Sequence, residues 1–281
     1  MATHNYNEVD ILYTLMSYVN VSSSQDMYYT IAHTILTHLE KIPDISINDL
    51  ADLCYTSPAT ISRFCRALGY ENFAHLKQEC YTFHSDDKKF NNLINIPLET
   101  MKSNPEIATQ EYVNQVIAYI SDLPRILDWK EIDATLKLIH DCDSVAFFGT
   151  QFSQSAALHF QTDLLMLEKF TMAYMDSSRQ LDCAKELTKD SVAIIMTVNG
   201  YFTGSGFKIL QYLKKSGCKV VLMTCNPELD IKIPIDHTIL LGQSKNRKTG
   251  KHSLLTAVEL MSLRYYSLYY PSIQELKGHI L

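Results

Sequence analysis

Four small, hydroxyl or basic residues have the spacing that places them on one side of a helix: Ala59, Ser62, Arg63 and Arg66. Small and hydroxyl side chains near the start of a helix allow it to approach base edges, and arginine pairs with guanine or phosphate. Thr60 borders this face, and its hydroxyl is also placed to contact a base or a phosphate. The chemistry that these residue types predict is recognition of double-stranded DNA.

Two short helices joined by a tight turn are expected to position this face. Ser46 and Asp49 have the spacing of a capping box before the first helix. Ser57 suits the N-cap of the second helix, since Pro58 follows at the first helical position. Gly69 is expected to end that helix in a left-handed conformation. A plain helical hairpin whose arginines are merely solvated remains an alternative explanation of the spacing.

The run SPATISRFCRALGYENFAHLK, residues 57–77, resembles the N-terminal domain of the RpiR-type family of bacterial transcription regulators. The positions that match the family pattern are Ser57, Ala59, Thr60, Ser62, Arg63, Phe64, Cys65, Arg66, Leu68, Gly69, Tyr70, Phe73, Leu76 and Lys77. The resemblance implies a winged-helix-like or helical-bundle DNA-binding domain that acts as a dimer. The expected DNA contacts are Ser57, Ala59, Thr60, Ser62, Arg63, Arg66 and Lys77.

The charge of the first eighty residues is unusual for a DNA-binding domain, because they contain four basic and nine acidic residues. DNA affinity depends largely on basic groups that displace counterions from phosphates. We therefore expect weak binding by a single copy, with a shallow salt dependence, and stronger binding when two copies occupy two half-sites. The whole chain carries a net charge of −6 at pH 7.

The length of 281 residues and the 46% apolar content are typical of two globular domains. The first twenty residues contain no lysine or arginine, which argues against a secretory signal, and no apolar run is long enough for a membrane span. The seven cysteines lack metal-binding spacing, and we expect reduced, buried thiols. These features predict a cytoplasmic protein with no membrane partner, no metal and no cofactor.

The predicted fold is α + α/β: an all-helical helix-turn-helix domain followed by a doubly wound parallel sheet. We expect the first domain over residues 1–82, a polar linker over 83–104 and the second domain over 105–281. An amphipathic helical stretch, residues 105–142, begins the second domain. Buried strands alternating with helices follow, and this alternation is typical of a parallel sheet with helices on both faces. The expected strands are 144–148, 170–175, 191–198, 219–224 and 238–241.

Two turns that follow predicted strands offer hydroxyls and backbone amides close to helix N-termini, where an anion binds readily. By these features alone, simple N-caps and connectors explain the turns equally well. The candidate effector-binding residues are Gly149, Gln151 and Ser153 in the first turn and Thr197, Asn199, Gly200 and Thr203 in the second.

Residues 140–270 resemble the SIS (sugar isomerase) domain that follows the DNA-binding domain in RpiR-type regulators. The resemblance implies a phosphosugar effector and an assembly of two or four copies. Gln151 stands where the family's first loop commonly has its second glycine. Phe202 stands where the family's second loop commonly has a threonine. Three alternatives follow: an intact phosphosugar site, a site for a changed effector, or a DNA-binding dimer that has lost its effector.

We expect a DNA-binding regulator and no catalytic residues. The rival expectation is a sugar-phosphate isomerase in which Glu259, on the last helix, acts as the base. The enzyme would need a positioned acid/base pair in the pocket, and the departures at Gln151 and Phe202 argue against it.

Overall fold

The computed structural model describes residues 11–85, 98–198, 200, 207–242 and 250–270. The chain divides into two compact units, one comprising Met1–Ile94 with Met175–Arg179 and the other Asn95–Tyr174 with Gln180–Leu281. This division agrees in outline with a two-domain protein. The predicted boundaries at residues 82 and 105 stay a prediction.

The first unit is helical throughout its described part. Its helices are α1 (Ile11–Val21), α2 (Met27–Thr37), α3 (Ile47–Leu53), α4 (Pro58–Ala67) and α5 (Phe73–Ser85). All of them contribute to one apolar core, in which Phe64 is fully buried. The rings of Tyr18 and Tyr28 meet the Phe64 ring edge-on, at centroid distances of 6.2 and 5.5 Å. The favourable edge-to-face geometry attaches α4 to the core.

The helix signals around the turn are confirmed. Ser46 and Asp49 form a reciprocal capping box on α3, and the Ser57 hydroxyl accepts a hydrogen bond from the Thr60 amide at the start of α4. Gly69 lies at φ +91° beyond the end of α4, in the left-handed region that glycine tolerates. The Asp49 carboxylate accepts from the Ser46 amide, and Asp26 is the N-cap of α2, where its carboxylate accepts from the Tyr28 amide. Two of the nine acidic side chains thus have a structural use.

The second unit contains a sheet of five parallel strands in the order β2-β1-β3-β4-β5. The strands are β1 (Val145–Phe148), β2 (Met172–Ala173), β3 (Val192–Thr197), β4 (Lys219–Thr224) and β5 (His237–Leu240). In register, Phe148 of β1 lies beside Ile195 of β3, and Thr197 lies beside Thr224 of β4. The carboxyl ends of β1, β3 and β4 thus meet at one edge of the sheet.

Helices cover both faces of this sheet. The described helices of the unit are α6 (Leu98–Ser103), α7 (Pro105–Ile126), α8 (Trp129–Asp141), α9 (Phe152–Met166), α10 (Ser177–Glu186), α11 (Phe207–Ser216) and α12 (Gly250–Tyr269). Val145 and Phe147 point into a core shared with α9 and α12, whereas Ala146 and Phe148 point into a core shared with α10 and α11. Because alternate strand residues enter different cores, the doubly wound prediction is confirmed.

Four details differ from the sequence expectation. The helical stretch 105–142 is two helices, since Asp128 accepts a hydrogen bond from the Lys130 amide and starts α8 anew. Strand β2 has only two residues, and α6 lies inside the expected linker. Helix α10 was not predicted from the sequence, because it contains few apolar residues. No helix in the described part of the chain is long and apolar enough to span a membrane.

Candidate DNA interface and effector site

The face of α4 opposite its buried stripe is open to solvent. Ala59, Arg63 and Arg66 are exposed and Ser62 is half-buried, whereas Ile61 on the opposite side is fully buried. The predicted DNA face therefore exists as a surface of one helix. The role of each residue on it stays a prediction.

Hydrogen bonds link three of the candidate residues along this face. The Ser57 hydroxyl accepts from the Thr60 amide at 3.2 Å and lies 3.0 Å from the Thr60 hydroxyl. The Arg63 guanidinium donates to the same Thr60 hydroxyl at 3.2 Å. Arg63 is thus held over the N-terminal turn of α4, where the helix dipole also favours an anion such as phosphate.

Lys77 has a different environment from the other candidates. It is half-buried, its ammonium donates to the Ile45 carbonyl at 2.7 Å, and its charge lies over the Phe73 ring. These contacts fix α5 against the segment before α3. A contact with DNA, which stays a prediction for Lys77, would have to share the ammonium with this structural bond.

Removal of the Ser57 cap on α4 should lower the free energy of unfolding, and a different capping residue at the same position should restore it. We expect Ser57→Ala to lower the free energy of unfolding by about 1 kcal/mol, because the Thr60 amide loses its acceptor. Circular dichroism of the thermal transition measures the change, with Ser57→Asn as the control that keeps a capping oxygen. An unchanged transition in Ser57→Ala would show that the cap contributes nothing.

Tyr55 lies in the turn between α3 and α4 and has an unusual backbone conformation. It adopts φ +51°, and its side chain is 93% exposed. A non-glycine residue in the left-handed region carries a small conformational cost. No local sequence signal predicts this combination for a tyrosine.

The first candidate effector turn follows β1 and is tightly packed. The Gln180 carboxamide accepts from the Gly149 amide at 3.2 Å and donates to the Gly149 carbonyl at 3.0 Å. A Cβ on Gly149 would lie 2.9 Å from the Met196 carbonyl oxygen, so only glycine fits this approach of the β1 end to β3. Gln180 was not a sequence candidate, because it lies 31 positions from its partner.

Gln151 and Ser153 complete the described part of this turn. Gln151 precedes α9 at φ +50°, which explains why glycine suits this position in the resembled family. Ser153 is buried within the first turn of α9. The turn therefore keeps a glycine-like backbone despite its glutamine side chain.

The second candidate turn follows β3. The buried Thr197 hydroxyl accepts a hydrogen bond from the Gly200 amide at 2.9 Å. Gly200 adopts φ +94°, and a Cβ there would lie 2.7 Å from a methyl group of Leu229. Asn199 and Thr203, together with Phe202, lie outside the described residues. The structure thus brings Gly149, Thr197 and Gly200 to the same edge of the sheet.

The first residues of α12 also lie at this edge of the sheet. A Cβ on Gly250 would lie 2.6 Å from Val198 and 2.9 Å from the Cys225 sulfur, so α12 begins in contact with the residues that follow β3 and β4. Burial raises the pKa of the Cys225 thiol to about 12, which keeps it protonated. Burial and then the Lys251 charge lower the pKa of His252, so its ring is neutral at pH 7.

The remaining chemical candidates lie elsewhere. Glu259 lines a groove between α9 and α12 with Asp163 and Met166. It is nine residues into α12, or about 13 Å along the helix from the sheet edge. Among the described residues, histidine, cysteine and carboxylate side chains form no cluster that would hold a metal ion.

Comparison with known proteins agrees with this architecture. Residues 21–82 match the model of the helix-turn-helix domain of the rpiR family. An uncharacterised HTH-type transcriptional regulator of Caldanaerobacter subterraneus is 25% identical over 202 residues, which are 69% of this chain and 67% of the relative.

Two solved structures share the fold. The NanR protein of Vibrio vulnificus, solved in complex with ManNAc-6P, has a TM-score of 0.50 at 15% identity and covers 96% of this chain and 97% of its own. The sugar isomerase domain of an RpiR transcription factor from Sphaerobacter thermophilus has a TM-score of 0.51 at 16% identity, covering 57% and 89%.

Residues 21–82 form a helix-turn-helix domain of the rpiR family. The second unit is a doubly wound α/β unit, and its fold is shared with the sugar isomerase domain of an RpiR transcription factor.

Proposed function

We propose that this regulator binds a specific operator through α4 and that a phosphosugar or related metabolite in the α/β unit modulates the binding. The observation that carries the DNA-binding half is the linked arrangement of Ser57, Thr60 and Arg63 on an otherwise open helix face. Arg66 extends this face by one turn. The proposed contacts are Arg63 and Arg66 to bases or phosphate, with Ser57 and Thr60 at the helix N-terminus.

The effector half rests on the edge of the sheet where β1, β3 and β4 end. Ligands of open parallel sheets bind in the crevice at the carboxyl ends of the strands. Gly149, Ser153, Thr197 and Gly200 offer backbone amides and hydroxyls there. NanR, which shares the fold, binds ManNAc-6P. A sugar phosphate is therefore the proposed class of effector, and regulation rather than catalysis is the proposed use of the crevice.

Self-association is proposed from α7. Its apolar residues Ile107, Val113 and Ile117 are exposed in the single chain, with Ile117 55% exposed. A second copy that covers this face would bring two α4 helices to two half-sites of an operator. The proposed location is the cytoplasm, where such an operator lies, and no membrane partner is proposed.

The test is selection of binding sites from random duplex DNA with the full-length protein. We expect enrichment of a palindrome with a fixed half-site spacing, since two copies present two symmetric helices. The enriched duplex then serves as the probe for a panel of hexose and pentose phosphates, ManNAc-6P included. An effector should change operator affinity by about 5- to 150-fold.

Each arm has an outcome that contradicts it. Absence of any enriched sequence would remove operator recognition. An enriched operator whose affinity no sugar phosphate changes would leave a DNA-binding dimer without this class of effector. Turnover of a sugar phosphate that is lost in Glu259→Gln would support the isomerase instead.

A further inference from the structure

Gln154 is a buried glutamine in the first turn of α9 and lies beside the proposed effector turn. We infer that its carboxamide is a specificity-determining group that hydrogen-bonds hydroxyl groups of a sugar effector. The inference rests on the proposed effector function and names the part of the ligand that this side chain recognises.

The first argument is burial without a partner. Gln154 is 0% exposed, and neither its Nε2 nor its Oε1 has a hydrogen-bond partner within the structure as described. Buried polar groups are nearly always paired. Since each unpaired buried group destabilises the fold, two on one side chain indicate that something outside the described residues satisfies them.

The second argument is position. The Gln154 Oε1 atom lies 3.2 Å from the point where a Cβ on Gly149 would stand, directly at the carboxyl end of β1. Gln180 contacts the same Gly149 but uses both its amide atoms on that backbone. Gln180 therefore fixes the turn through two hydrogen bonds. The Gln154 carboxamide lies beside the turn without a hydrogen-bond partner among the described residues.

A second orphan group lies at the same edge. The Ser253 hydroxyl in the first turn of α12 is fully buried and also has no partner among the described residues. Gly250, three residues earlier, is in contact with Val198 and Cys225, the residues that follow β3 and β4. Two unpartnered polar side chains at the ligand-binding edge of one sheet indicate a polar ligand rather than an isolated packing defect.

The chemistry of these groups selects hydroxyls over phosphate. A carboxamide offers a donor and an acceptor, and a serine hydroxyl offers both as well, which matches a sugar hydroxyl. The oxygens of a dianionic phosphate ester only accept, so they would leave the Gln154 Oε1 unpaired. His252, also at the start of α12, is neutral and adds no charge for an anion. Gln154 is thus suited to the sugar part of a sugar phosphate.

The experiment compares Gln154→Leu with Gln180→Leu in the full-length protein. Without ligand, we expect Gln154→Leu to unfold at the wild-type temperature or above, because a similar volume replaces two unpaired groups. Gln180→Leu should unfold several degrees lower, because it strands the Gly149 amide and carbonyl. Gln154→Met provides a second variant of matched volume in case leucine's branch does not fit.

Calorimetry then measures binding of glucose 6-phosphate, ManNAc-6P and inorganic phosphate. We expect Gln154→Leu to bind the sugar phosphates about 10- to 100-fold more weakly, since the loss of a hydrogen-bonding group in a buried site has an effect of this order. The affinity for inorganic phosphate should not change. This combination of kept stability and lost sugar affinity supports the assignment, and a purely structural role would not produce it.

Three outcomes overturn the inference. A loss of ligand-free stability in both Gln154 variants equal to that of Gln180→Leu would show that the carboxamide is satisfied within the fold. Unchanged sugar phosphate affinity would exclude Gln154 while leaving the effector function intact. Failure of the wild type to bind either sugar phosphate, despite specific DNA binding, would remove this class of effector and the inference together.

Discussion

Replacement of Arg63 and Arg66 by alanine should abolish sequence-specific operator binding while the protein stays folded. Each arginine that pairs with a base contributes about 1–3 kcal/mol of discrimination, so each single variant should lose about 10- to 100-fold in operator affinity. Both side chains are exposed, and exposed substitutions usually change stability by less than about 0.5 kcal/mol. Binding is measured by titration of the selected duplex at several salt concentrations.

The salt series separates two kinds of contact. An arginine that contacts a base should relax sequence preference at one position when it is removed. An arginine that contacts phosphate should weaken binding to all sequences and reduce the salt slope by about 1. Arg125→Ala is the matched control, because Arg125 is exposed in the α/β unit and pairs with Asp122. Wild-type affinity and preference in the double variant would exclude α4 as the recognition helix.

Truncation of Phe64 should cause the largest loss of stability in the helical unit. Phe64 is fully buried and meets Tyr18 and Tyr28 edge-on, so Phe64→Ala leaves a cavity and removes both ring contacts. Such substitutions cost about 3–5 kcal/mol, a large share of the stability of a small domain. Chemical denaturation followed by circular dichroism measures the loss, and operator binding should fall with it.

Tyr55→Ala is the aromatic control for this prediction. The Tyr55 ring is almost wholly exposed, so its removal should change the free energy of unfolding by about 0.5 kcal/mol or less. Equal losses in the two variants would contradict the view that α4 is attached to the core through Phe64.

The helix-turn-helix was predictable in detail because its signals are local. Ser46 and Ser57 cap helices that begin one residue later, Asp49 completes the capping box on α3, and the buried stripe of α4 follows the helical period. The strands of the second unit were predictable because continuous apolar runs indicate strands buried on both faces. Helix α10 escaped prediction, since it contains few apolar residues.

The effector edge was only partly predictable. The sequence marked Gly149 and Thr197, but it did not connect Gly149 with Gln180 or single out Gln154 and Ser253. Those relations join residues far apart in the chain, so they exist only after the sheet has formed. The roles of the marked residues stay predictions.

The sequence by itself determined the helix caps, the buried stripe of α4, the strand positions and the helix-turn-helix domain, because each depends on residues within about one helical turn or one strand of each other. The tertiary structure alone decided which polar groups are satisfied. In the folded protein the Lys77 ammonium donates to the Ile45 carbonyl, and the Gln180 carboxamide accepts from the Gly149 amide. The Gln154 carboxamide is buried without a hydrogen-bond partner among the described residues. Satisfaction of a buried polar group depends on every element packed around it, which no local pattern encodes.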